Sequence, residues 1–111
     1  MSFGYQVLGF GGSGTAAVAG NDNGIFAYGQ GPVSMSNLVS DVGVVGTVVT
    51  GVGTARLQLA ACGYGYDKGI FGYGDGSVVS MTNLVSNSGV VATDVTGVGT
   101  ARRYFAACSY N

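Results

Sequence analysis

The segment GIFGYG at residues 69–74 repeats, 45 residues further along the chain, the segment GIFAYG at residues 24–29. Three more pairs match at an offset of 46: NLVS at residues 37–40 and 83–86, VGTAR at 52–56 and 98–102, and AAC at 60–62 and 106–108. A period in the mid-forties is typical of proteins that stack copies of one supersecondary unit. The chain is therefore predicted to hold two copies of one structural unit.

Each copy divides into four short segments rich in β-forming residues, separated by turns of Gly, Asn and Asp. In the second copy they are residues 68–73, 78–85, 90–95 and 103–110. A unit of this length with four strands matches one propeller blade. We predict an all-β fold of two four-stranded, propeller-like blades plus extra N-terminal strands. Within one domain, residues 1–20 form a partial repeat and attachment segment, residues 21–66 the first repeat and residues 67–111 the second.

The composition supports a folded β-protein and excludes several partners. The chain has 22 glycines and 47% hydrophobic residues, which is a poor helix composition but too rich in β-formers for disorder. A net charge of −1, with only 8% charged residues, provides no basic patch for nucleic acid. No apolar run is long enough to span a membrane, and the N-terminus lacks the features of a signal peptide. Weak electrostatic repulsion between copies favours assembly.

Catalytic groups are scarce. The chain has no histidine and no glutamate, the commonest general base and one of the two acidic side chains. Cys62 and Cys108 lie in Ala-rich apolar segments without a basic partner, so we predict buried free thiols. GFGGSG at residues 9–14 fits a dinucleotide pattern, but no helix follows it, and we interpret it as a turn. We predict no enzymatic activity, no cofactor and no metal site.

Two arginines and two tyrosines recur at equivalent positions in the copies. Arg56 in the first copy corresponds to Arg102 in the second, and Tyr28 corresponds to Tyr73. A planar guanidinium suits an interface between copies, and a tyrosine at a strand position suits a core or an interface. These four residues are the candidate interface residues. Ligand binding by the arginines and stacking of sugars on the tyrosines remain alternatives.

The order of segments resembles the kelch class of propeller repeat: an arginine, a small-residue strand (AAC), an apolar strand closing on glycine (IFGYG), and two further strands. The resemblance implies four-stranded blades. A closed propeller needs about 4–8 blades, so two blades leave exposed edges. We therefore predict a homo-oligomer, a trimer in preference to a dimer, that completes the ring.

YQVLGFG at residues 5–11 looks like the start of structural proteins of tailed bacteriophages. KGIFGYG at 68–74, MTNLVSN at 81–87 and TGVGTAR at 96–102 look like repeats of phage virion proteins. The resemblance implies a capsid decoration (cement) protein, or a fibre or tail component, located in the virion after assembly in the host cytoplasm. Its partners would be other virion proteins of the capsid or tail. The alternative is a carbohydrate-binding, propeller-type lectin module.

Overall fold

A computed structural model describes residues 22–111. Within this range the chain forms five strands and no helix, which confirms the all-β prediction. They are β1 Gly24–Gly29, β2 Val33–Val39, β3 Ala60–Tyr64, β4 Lys68–Gly74 and β5 Val79–Val85. This part of the chain accordingly has no helix that could cross a membrane. The predicted N-terminal strands and the turn at residues 9–14 lie outside the described residues.

The strands form two antiparallel sheets. β1 and β2 make a two-stranded hairpin, and β3, β4 and β5 make a three-stranded meander in that order. β3 belongs to the first repeat in sequence, whereas β4 and β5 belong to the second. The larger sheet therefore crosses the boundary at residue 66, because a segment of one repeat completes the sheet of the next. Neither sheet closes on itself.

The two hairpins, β1–β2 and β4–β5, follow the same backbone path. Phe26 lies opposite Asn37, and the equivalent Phe71 lies opposite Asn83. Both ladders are interrupted by the same bulge, in which two residues of the partner strand lie opposite Tyr28 in one copy and opposite Tyr73 in the other; the tyrosine φ angles there are 63° and 62°. The residue that changes the repeat offset from 45 to 46 lies in the turn between β4 and β5, outside both ladders.

The predicted segment that follows the hairpin, residues 90–95 in the second copy, is not a strand. Residues 90–95 contact β5 only at two isolated bridges, Val85 with Val91 and Thr82 with Val95. Between these bridges the outer segment advances four residues (91 to 95) and β5 only three (82 to 85), so one residue has no ladder partner. The side chain of Asn83 fills the gap by donating a hydrogen bond to the Ala92 carbonyl at 3.0 Å. The prediction of a continuous strand here is wrong for this reason.

Residues 103–110 are not a strand either, although the equivalent part of the first copy contains β3. β3 exists because β4 lies beside it and supplies a continuous ladder from Ala60↔Gly72 to Tyr64↔Lys68. Among residues 22–111, no strand lies beside 106–110 in this way. A strand is stable only with a hydrogen-bonded neighbour, so this prediction fails for lack of a partner.

The hydrophobic core is small and lies between the two copies. Its buried members are Tyr28 from the first copy and Phe71, Val85 and Val91 from the second. The rings of Tyr28 and Phe71 meet edge to face, with centroids 5.4 Å apart and planes at 66°. The copies are therefore held together partly by apolar burial and aromatic contact.

Candidate assembly interface

The junction between the copies is built around Arg56, whose side chain is completely buried. Its Nε donates to the Tyr73 carbonyl at 2.7 Å, Nη2 donates to Asn83 Oδ1 at 2.6 Å, and Nη1 donates to the Thr54 carbonyl at 3.1 Å. The guanidinium also lies over the ring of Tyr28, 4.6 Å from its centroid. Arg56 thus contacts both copies, and its planar fork suits this set of acceptors better than an ammonium would.

A carboxylate completes the network. Asp94 accepts hydrogen bonds from the Thr54 amide at 3.1 Å and from the Thr54 hydroxyl at 2.7 Å. Asn83 Nδ2 donates to the same carboxylate at 2.8 Å, and Arg56 Nη1 lies 3.9 Å from it. Burial raises the pKa of Asp94, but the hydrogen bonds from Thr54 and Asn83, with the nearby arginine, outweigh burial and leave this pKa below its ordinary value.

Tyr28 supports the arginine from the first copy. Its left-handed backbone at the bulge is unusual for a residue other than glycine. The hydroxyl donates to the Val52 carbonyl at 3.0 Å, which anchors the ring under Arg56. Burial raises the pKa of the Tyr28 hydroxyl, and the charge of Arg56 offsets part of the rise. The phenol therefore remains neutral at ordinary pH.

The second copy repeats half of this junction at its exposed end. Arg102 lies 4.1 Å from the centroid of the Tyr73 ring, and the Tyr73 hydroxyl donates to the Val98 carbonyl at 2.8 Å. Arg102 Nη1 donates to the Thr100 carbonyl at 3.3 Å, as Arg56 does to Thr54. Within residues 22–111, however, no side chain accepts a hydrogen bond from Arg102, and this arginine is exposed.

The structure brings the four candidate residues together as two Arg–Tyr contacts that the sequence did not predict, Arg56 with Tyr28 and Arg102 with Tyr73. The rest of the network was also missed. Asn83 and Asp94 were not among the predicted residues. Two signals could have found them. Asparagine is disfavoured inside strands, yet it recurs at position 37 and position 83 in mid-strand. Asp94 is the one carboxylate in a valine-rich segment, where the first copy has Val48.

Both cysteines are free, but their burial differs from the prediction. Cys62 in β3 is partly buried, whereas Cys108 is exposed. The prediction of a buried thiol is therefore wrong for Cys108 and only partly right for Cys62. The two differ because β4 covers the edge of β3, while no described strand covers residues 106–110.

The surface of the described residues includes a cleft and a smaller depression. A cleft of about 880 Å³ between the two sheets has apolar walls that include Ile25, Leu38 and Ile70. A smaller depression of about 510 Å³ lies beside residues 62–66 and 108–111. Among the described residues, no group of three His, Cys, Asp or Glu side chains could hold a metal ion. Neither depression therefore contains such a group of metal ligands in this part of the chain.

These features define an all-β tandem-repeat protein whose copies are joined through a buried arginine. Comparison with known protein families, with curated protein sequences and with solved structures found no match for this chain.

Proposed function

We propose that this chain is a structural protein that acts by protein–protein assembly, and that it is a component of a phage virion, either a capsid decoration (cement) protein or a fibre component. The observation that carries the proposal is the exposed second half-junction at Arg102. A buried arginine joins one copy to the next inside the chain, and the same arginine with the same tyrosine is presented again at the surface. A chain that presents these junction residues at its surface can bind a further chain in the way that its own two copies bind each other.

The surface supports assembly as well. Several large apolar side chains are strongly exposed, including Phe26 at 66%, Val98 at 79% and Tyr110 at 95%. Exposed apolar surface is typical of interaction sites, and a net charge of −1 provides little repulsion between copies. The virion assignment rests on the resemblance of residues 5–11, 68–74, 81–87 and 96–102 to phage structural proteins.

The proposed architecture is a set of propeller-like blades completed by a homo-oligomer, with a trimer favoured over a dimer. The protein would reside in the virion after assembly in the host cytoplasm, in contact with capsid or tail proteins. The first copy has three strands and a segment that bridges β2, whereas the second has two strands and a segment that bridges β5. If residues 106–110 pair with another chain in the oligomer, the second copy also reaches the four segments of a blade.

The test is the protein content of purified particles. Mass spectrometry of washed particles should detect this chain at a copy number that matches the symmetry of the shell or the tail. For a decoration protein, particles stripped of the chain should lose mechanical or thermal stability and regain it when the purified chain is added. Absence of the chain from particles that are otherwise complete would refute the virion proposal.

A carbohydrate-binding module is the second candidate. The smaller depression is bordered by three tyrosines, and Tyr64, Tyr66 and Tyr110 are 39%, 80% and 95% exposed. Exposed tyrosine rings suit the apolar faces of sugars. A glycan array should then show saturable binding that Tyr66→Ala and Tyr110→Ala weaken. Tyr104→Ala is the matched control, because Tyr104 is 73% exposed but does not line the depression. A glycan array that shows no binding would count against this candidate.

A further inference from the structure

We infer that chains join head to tail, and that Arg102 of one molecule docks against Asn37 of the next as Arg56 docks against Asn83 within the chain. The inference rests on the proposed assembly function and names its interface. Such an interface is heterologous, since two different surfaces of the chain meet. The donor surface is defined as Tyr73, Thr100, Arg102 and residues 105–110. The acceptor surface is defined as Phe26, Asn37, Val48 and β1.

The donor surface already has the geometry of the internal junction. Arg102 stacks on Tyr73 at 4.1 Å, where Arg56 stacks on Tyr28 at 4.6 Å. The preceding turns match as well, because Gly53 and Gly99 have φ angles of 79° and 82°. What Arg102 lacks among residues 22–111 is the side-chain acceptor that Asn83 provides for Arg56.

The acceptor surface is present in the first copy. Asn37 Nδ2 donates to the Gly46 carbonyl at 3.0 Å, as Asn83 Nδ2 donates to the Ala92 carbonyl. Asn37 Oδ1, the counterpart of the atom that accepts from Arg56, receives no hydrogen bond from residues 22–111. None of residues 1–55 is Lys or Arg, so none of their side chains can donate to Asn37 as Arg56 donates to Asn83.

The aromatic contact between Tyr28 and Phe71 supports the same interface. Phe71 is 6% exposed because it packs against Tyr28 of the preceding copy. Its counterpart Phe26 is 66% exposed. Head-to-tail contact would place Phe26 of the next molecule against Tyr73, the counterpart of Tyr28. The one strongly exposed phenylalanine of the described chain would then be buried.

The backbone supplies a further element of the interface. Residues 106–110 (AACSY) correspond to β3 (AACGY), and β1 corresponds to β4. β3 pairs with β4 over five residue pairs, whereas β1 has only β2 as a neighbour among the described strands. The segment 106–110 of one molecule can therefore extend the β1 edge of the next. Residues 16–18 (AAV), outside the described range, also match β3, and their pairing with β1 of the same chain is the competing outcome.

One substitution separates the proposal from its competitor. The internal junction uses Asp94 to bind Thr54 and Arg56, but the acceptor surface has Val48 at that position, 59% exposed. Val48→Asp restores the carboxylate and should tighten association about tenfold or more, since it accepts charge-assisted hydrogen bonds from Thr100 and forms an ion pair with Arg102. Val42→Asp is the matched control, because it adds the same charge at a 78% exposed site outside the acceptor surface.

The experiment is sedimentation velocity of the purified full chain over a wide concentration range. The mass of the wild type should rise with concentration, Val48→Asp should shift this rise to lower concentration, and Val42→Asp should not. Arg102→Ala should weaken association and should abolish the gain from Val48→Asp when the two are combined. If Val48→Asp and Val42→Asp behave alike, the proposed interface is wrong.

Mixing two variants tests whether the contact is head to tail. Arg102→Ala lacks a donor and Asn37→Ala lacks an acceptor, so each should associate poorly alone, while an equimolar mixture should form dimers and no larger species. Circular dichroism checks that both variants are folded. Equal association of every variant and the wild type, with the chain still present in particles, would overturn this interface and leave the assembly function standing. A wild type that is monomeric throughout and absent from particles would overturn both.

Discussion

Arg56 and Asn83 are both completely buried, and the arginine Nη2 donates to the asparagine Oδ1 at 2.6 Å. The two residues are 27 positions apart and belong to different copies of the repeat. A buried guanidinium is stable only if its donors find acceptors, so this contact requires the two copies to keep one relative position.

Arg56→Ala should destabilise the chain far more than Arg102→Ala. The first change leaves the Asn83 amide oxygen and the Tyr73 carbonyl without their donor, and we expect a loss of about 2–5 kcal/mol in the free energy of unfolding. The second removes an exposed side chain, and we expect a change under about 1 kcal/mol. Urea denaturation at a protein concentration low enough to keep the chain monomeric measures both. Equal losses would contradict the assigned role of Arg56.

Stability should fall in acid through Asp94. Its pKa in the folded chain lies below the ordinary value, which is about 3.9 in an unfolded chain. The stabilisation from its ionised form is therefore complete above that value and is lost as the pH falls through the lower, folded-state pKa. Asp94→Val installs the residue found at position 48. It should reduce the loss of stability at low pH, as measured by urea denaturation at a series of pH values.

Some acid dependence should survive that substitution. The hydrogen bond from Lys68 lowers the pKa of Asp67, and the hydrogen bond from Arg103 lowers that of Asp75. Asp41→Asn is the matched control, because Asp41 is exposed and forms no ion pair among the described residues. A curve for Asp94→Val that matches the curve for Asp41→Asn would show that Asp94 does not contribute.

Gly53→Ala should be more harmful than Gly99→Ala. Both glycines have a left-handed backbone, with φ of 79° and 82°, so the conformational cost of alanine is about 1 kcal/mol at either position. At position 53 the new Cβ would also lie 2.6 Å from Asn83 Nδ2 and collide with the Asp94 carboxylate, whereas at position 99 the nearest atom is the Tyr73 hydroxyl at 3.7 Å. Urea denaturation should show an extra loss of about 1–3 kcal/mol for Gly53→Ala.

The two thiols should react at different rates. Cys108 is exposed and Cys62 is partly buried in β3, so a thiol reagent under native conditions should modify Cys108 first. The measurement is a time course of alkylation followed by peptide mass spectrometry. Because residues 106–110 belong to the donor surface, alkylation of Cys108 should also slow as the protein concentration rises. Faster modification of Cys62 would contradict the observed exposure.

Much of the fold could be predicted because the signal is local and occurs twice. The hairpin strands were placed correctly: residues 68–73 were predicted and β4 is Lys68–Gly74, and residues 78–85 were predicted and β5 is Val79–Val85. The Arg–Tyr pairs also recur in sequence and meet in space. Residues 90–95 and 103–110 have equally strand-like compositions, yet neither forms a strand, since composition does not reveal whether a neighbouring strand is in register.

The sequence by itself determined the β class, the two copies, the turns between strands and the arginines and tyrosines that mark the junction, because each is written in short-range patterns of residue type. Only the tertiary structure decided that β3 completes the sheet of the following copy, that Asn83 and Asp94 enclose Arg56, and that Cys108 remains exposed. These features depend on which distant backbone edge or side chain lies alongside. A buried charge must find its acceptors in three dimensions, here 27 residues away for Asn83.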